Sequence, residues 1–180
     1  MPRRWDRGVG STVIEVQKRS YSPDGPLMRA ALRALKTGDA GHILIWIPEE
    51  SENTLRNLLE KACCERTINR NAHAQIADWY FTTVNRLHMR CYRPRDLVIS
   101  TKTPEEKKII HLVERTCQCG DLTEITTVIP DTSGGELQQQ LNRVMRTQNF
   151  DPGNTAAGRA WVSAFIDFIA LVHRMRSGSR

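Results

Sequence analysis

Apolar residues recur along this chain with two different spacings, and the spacings divide it into elements. After the turn residues "SPDG", Leu27, Met28, Ala31, Leu32 and Leu35 fall on one side of a 3.6-residue period, with Pro26 in the first turn and Gly38 as a stop. That is one amphipathic helix. "HILIWI" (His42 to Ile47) is instead an unbroken apolar run closed by Pro48, which predicts a strand covered on both faces. From Ser51, Leu55, Leu58, Leu59 and Ala62 return to helical spacing, and beyond the polar break "RTINRN" a further helix carries Ile76, Trp79, Tyr80, Val84 and Leu87. The β-branched "STVIEV" (Ser11 to Val16) supplies a strand ahead of all of these.

The same order then begins again. "DLVIS" (Asp96 to Ser100) predicts a strand, and Thr103, Pro104 and Glu106 predict a capping box opening a helix with Ile109, Ile110, Leu112 and Val113 on its apolar stripe. "EITTVIP" predicts a strand, "GELQQQLNRVM" a helix, and Ala156 to Met175 a long last helix. At a constant offset of 82 positions, Gly38, Asp39, Ile43, Ile47, Pro48, Ser51, Leu55 and Leu59 meet identical residues, and Trp79 meets Trp161. We read this as an internal duplication. The expected fold class is α/β: two tandem β-α-β-α-α units, at 11–93 and 94–176, between a basic arm at 1–10 and a tail at 177–180. A single β-α-β unit leaves strand edges unpaired, so the two copies are expected to share one sheet about a pseudo-twofold axis, helices outside. If an edge stays open, a homodimer would continue the sheet.

The stretch "SPDGPLMRAALRALKTGDAGHILIWIP", with the helices that follow it to Pro94, resembles the middle of a ribonuclease H domain: a polar turn, a small-residue helix, a strand, a helix, a polar break with Asn71, and another helix. The resemblance implies an α/β fold and a two-metal nuclease site built from converging carboxylates. In the first copy those acids are missing, since their places fall on Gly25 or Pro26 and on Pro48. In the second copy Asp96, Glu106 and Asp131 stand near the required places, although Glu106 also serves the capping box and Asp131 the turn "PDTSGG". A Mg²⁺-dependent nuclease is therefore kept only as an alternative.

Charge changes the picture more than composition does. The 180 residues carry a net charge of +6, and the cations are twenty arginines against six lysines. Arginine's planar fork binds phosphate bidentately and stacks on flat rings, so a nucleic-acid partner, RNA in preference to DNA, is the leading expectation. The expected contacts are Arg86, Arg90, Tyr92, Arg93 and Arg95 in "NRLHMRCYRPR", Arg174 and Arg176 near the end of the last helix, and Arg3 and Arg4 in the arm. Tyr92 is expected to stack on a base. Under a twofold arrangement the two helix ends would present related cationic patches. A protein-interaction or self-assembly module is the alternative of a different class.

Other chemistry finds little support. Five cysteines (Cys63, Cys64, Cys91, Cys117, Cys119), odd in number, suit free thiols in a reducing compartment better than disulfides. His88 with Cys91, and His111 with Cys117 and Cys119, lack the paired knuckles of a structural zinc site. No phosphate-binding glycine loop or nucleophile elbow occurs. The expectation is a non-enzymatic protein without metal or cofactor, in the cytoplasm or nucleus, not in a membrane. Size and arginine content would suit an accessory factor of a virus or mobile element.

Overall fold

The computed structural model describes residues 25–68, 70–92, 103–129 and 134–177. Every regular element among them is helical. In chain order these are α1 (Pro26–Thr37), α2 (Gly41–Leu44), a 3-10 turn (Glu49–Ser51), α3 (Glu52–Ile68), α4 (Arg70–Tyr92), α5 (Pro104–Cys119), α6 (Thr123–Val128), α7 (Gly134–Thr147) and α8 (Thr155–Ser177). The chain divides into two compact units, Met1–Cys91 and Tyr92–Arg180.

This overturns the α/β expectation, the shared sheet and the ribonuclease H resemblance together. "HILIWI" is not a strand: it forms α2 and the turns after it, with Ile43 through Ile47 all buried. An unbroken apolar run signals burial on all sides, which a short core helix satisfies as well as a central strand does. "EITTVI" lies in and just after α6. There Ile125 and Ile129 are buried while Thr126, Thr127 and Val128 are exposed, a spacing of four that a strand cannot produce. The other two expected strands, "STVIEV" and "DLVIS", lie outside the described residues. Without a sheet among the described residues, the open edge that motivated a homodimer is gone as well.

The repeated "GD" has a helical explanation. Gly38 and Gly120 take the left-handed conformation, φ 76° and 73°, and each donates its N–H back to its helix, to Ala34 O and to Thr116 O at 2.8 Å. Glycine adopts this conformation without the Cβ clash that other residues meet, so it ends α1 and α5 cleanly. The aspartate that follows starts the next helix. Asp39 Oδ1 accepts the N–H of Gly41 at 2.8 Å, and Asp121 Oδ1 accepts the N–H of Thr123 at 2.9 Å and its hydroxyl at 2.6 Å. Those bonds hold the Asp121 carboxyl below its ordinary pKa. In both units the glycine thus stops one helix and the aspartate, one place before the N-cap, accepts the first N–H of the next.

Burial follows the same register. Met28, Ala31, Ala34 and Leu35 on α1 correspond at the offset of 82 to Ile110, Val113, Thr116 and Cys117 on α5, and all eight are buried. Leu55, Leu59 and Ala62 on α3 correspond to the buried Leu137, Leu141 and Val144 on α7, and Tyr80, Val84 and Leu87 on α4 to Val162, Ile166 and Ile169 on α8. Each unit is a helix, a short helix and two longer helices around its own apolar core.

Within the first unit, α1 packs on α2 and α3. α4 is tied in by Tyr80, whose hydroxyl donates to Ala31 O at 3.2 Å, and the Cys63 thiol on α3 lies 3.7 Å from Leu35 O. Within the second, α7 and α8 form the principal pair and α5 packs against both. Arg143 on α7 pairs with Asp167 on α8 at 3.0 Å, and Arg174 on α8 with Glu136 on α7 at 3.2 Å. These pairs are exposed, so they fix alignment more than they stabilise. α8 is long and apolar enough to cross a membrane, but Val162, Phe165, Phe168, Ile169 and Val172 are buried in its own unit, which accounts for its apolar character.

Candidate functional site

α4 is 23 residues long and presents two unlike sides. Its buried side carries Ala77, Tyr80, Phe81, Val84 and Leu87, at spacings of three and four. The opposite side carries Gln75, Trp79, Thr82, Arg86 and Arg90, all exposed. At about 100° per residue these five lie within roughly 60° of one line along the helix. Periodicity alone puts Trp79 on the apolar stripe with Tyr80 and Val84. In the structure the stripe runs one position later, and Trp79 is 55% exposed.

Arg86 and Arg90 are one turn apart, and neither forms an ion pair with any described residue. Four other described arginines are neutralised, Arg56 by Glu52, Arg115 by Glu124, Arg143 by Asp167 and Arg174 by Glu136, whereas Arg33 and Arg146 are exposed without an ion pair among the described residues. What sets Arg86 and Arg90 apart is their sequence neighbourhood. From Trp79 to Arg95 there are four arginines and no acidic residue. Arg90, in the last turn, also complements the helix dipole, a contribution of about 0.3–1 kcal/mol that leaves its charge available.

The remaining expected contacts separate from this group. Tyr92 is the last residue of α4 and half-buried. Arg174 is engaged with Glu136, and Arg176 is partly buried on α8 beside His173. Arg3, Arg4, Arg93 and Arg95 lie outside the described residues. Nor do the two expected patches correspond in the fold, since the positions 82 beyond Arg86 and Arg90 are Phe168 and Val172, both in the core. No feature among the described residues distinguishes RNA from DNA.

Among the described residues no group of three or more His, Cys, Asp or Glu side chains could hold a metal ion. Glu106 forms the capping box: its N–H donates to Thr103 Oγ1 at 3.2 Å and its carboxylate accepts from the Thr103 N–H at 3.1 Å. Asp96 and Asp131, the other acids of the nuclease alternative, lie outside the described residues. None of the five cysteines is in a disulfide. Burial pushes the Cys117 thiol up to about 12, with Glu114 and Cys119 adding to it, so it stays protonated and unreactive.

His88 serves the core instead of a metal. Its Nδ1 lies 2.8 Å from Trp46 O, a carbonyl that can only accept, so Nδ1 carries the proton. The ring packs 5.9 Å from the Trp46 ring. Burial lowers its pKa below the ordinary 6.5, against the backbone hydrogen bond, which raises it. The unfolded chain then takes up a proton before the folded one does, so stability is complete above pH 6.5 and falls as the pH drops below it. His173 shifts downward too, through burial and then Arg176, partly opposed by Glu106. Denaturant unfolding measured between about pH 7 and about pH 5 should show this acid loss. His88→Asn, whose amide nitrogen can donate to Trp46 O without titrating, should make the loss shallower; an unchanged slope would show that His88 carries none of it.

No curated protein and no solved structure matches this chain. The model of a family of unknown function (DUF6448) matches residues 24–171. That span opens just before α1, closes inside α8 and so takes in both units, and the chain belongs to DUF6448.

Proposed function

We propose that this protein is a non-catalytic binding module that holds a nucleic-acid strand along the exposed side of α4. The observation that carries the reading is the pair Arg86 and Arg90, solvent-facing, without an ion-pair partner among the described residues, in a stretch of chain free of acids. Arginines left unneutralised next to one another repel. A polyanion relieves that repulsion, and binding is driven by release of its condensed counterions.

The test is a titration by fluorescence anisotropy over a range of salt, with single-stranded and duplex oligonucleotides and with polyglutamate as a non-nucleic polyanion. Affinity should fall steeply as salt rises. Arg86→Ala with Arg90→Ala should weaken binding to every sequence and flatten the salt slope by about 1.4, at about 0.7 for each phosphate no longer neutralised. Thermal stability should hardly change, because both side chains are exposed and unpaired. Absence of nucleic-acid binding at low salt would refute the reading, and capture of polyglutamate alone would favour the protein-interaction alternative.

A further inference from the structure

We propose that Trp79 is a stacking platform for an unpaired base, which makes the α4 site selective for single strands. The inference rests on the α4 reading above and adds a residue and a substrate class to it. Trp79 lies about 10 Å along the helix from Arg86 and about 17 Å from Arg90, on the same line. A strand whose phosphates follow the arginines therefore passes its bases over the indole. Asp78, the nearest acid in sequence and also exposed, is turned about 100° away around the helix.

The second unit shows what this position requires. Its counterpart, Trp161, is stacked on Phe165 with ring centroids 5.6 Å apart and planes 17° apart, and Phe150 covers it at 6.0 Å. Eighty-two positions earlier, the places of Phe165 and Phe150 hold Thr83 and Ile68. Thr83 is buried and offers no ring. The first unit thus keeps the tryptophan without the flat partner that covers it in the second, and leaves it in solvent beside unpaired cations. A flat, electron-poor ring attached to a polyanion complements both features. Paired bases are stacked on their neighbours and present only edges, so a duplex cannot supply that ring.

The experiment compares oligothymidylate, an abasic strand of equal length and a duplex, each titrated against the intact protein, Trp79→Ala and Trp79→Tyr. The parent should prefer oligothymidylate over the abasic strand. Trp79→Ala should lower its affinity for oligothymidylate about tenfold or more, in line with one stacked base, while leaving abasic and duplex binding unchanged. Trp79→Tyr should retain much of the preference. Alanine is the better helix former, so an exposed Trp79→Ala change leaves α4 intact, and a thermal melt checks this. Equal binding of all three ligands by the parent, or an equal fall on all three in Trp79→Ala, would overturn the stacking role and leave the arginine reading standing. Absence of all nucleic-acid binding in the parent would overturn both.

Discussion

Phe168→Ala is expected to cost about 3–5 kcal/mol of stability, seen as an earlier denaturant midpoint. Phe168 is fully buried on α8, among the buried Phe165, Leu171 and Val172 of the same helix, which packs against α7. Truncation removes the ring's burial and leaves a cavity that surrounding helices can only partly close. Trp161, in the same unit, provides a fluorescence probe. Phe168→Leu should recover more than half of the loss, because it refills most of the volume without strain. The result also separates two accounts of α8. If its apolar residues pack an aqueous core, the loss appears in water without lipid or detergent; a Phe168→Ala protein as stable as the parent would mean that α8 does not pack that core.

The position bears on the binding reading as well. Phe168 stands 82 positions after Arg86, so one place in the repeated unit is a solvent-facing arginine in the first copy and a core phenylalanine in the second. The two last helices keep Tyr80 and Val162, Val84 and Ile166, and Leu87 and Ile169 in common as core, and differ in how much of their circumference is covered. α8 is buried around most of its girth, whereas α4 keeps a free side. The repeat position that carries an exposed arginine on α4 is therefore occupied by core packing on α8.

Helix ends are legible in the sequence because each has a local chemical signal. Pro26 with Gly38, and Thr103, Pro104 and Glu106 with Gly120, state a start and a stop, and the structure has both. The short segments between are misleading. "HILIWI" and "EITTVI" are too brief for periodicity to decide, and β-branched residues tilt the reading toward strands. Yet the positions shared by the two copies, Ile43 with Ile47 and Ile125 with Ile129, are four apart, a helical interval. Weighing the repeat's shared positions above its composition favours helix at α2 and α6. At the site, Arg86 and Arg90 are legible as a basic pair one turn apart. Trp79 is not, because a tryptophan among apolar residues reads as core, and only the placement of Tyr80 and Phe81 inside turns it outward.

The repeat itself makes the second large prediction, a matched one. Leu55 on α3 and Leu137 on α7 are both fully buried and occupy the same place in their units, four residues before Leu59 and Leu141. If each unit is held by its own core, Leu55→Ala and Leu137→Ala should each cost about 2–5 kcal/mol, and for the same reason, a cavity opened in the middle of a small helical core. Trp46 and Trp79 lie in the first unit and Trp161 in the second, so Leu55→Ala can be followed with Trp161 replaced by phenylalanine, and Leu137→Ala with Trp5, Trp46 and Trp79 replaced. Leu55→Ala should shift the transition seen through the first unit's tryptophans, and Leu137→Ala the one seen through Trp161. The pair also controls for the binding experiments: Leu137→Ala should leave the α4 site working under conditions where the protein stays folded, whereas Leu55→Ala loosens the core on which α4 rests and should weaken oligothymidylate binding as the temperature rises. A near-neutral result at either leucine would break the correspondence between the units, since a side chain without solvent contact cannot be truncated at no cost unless its neighbours refill the space.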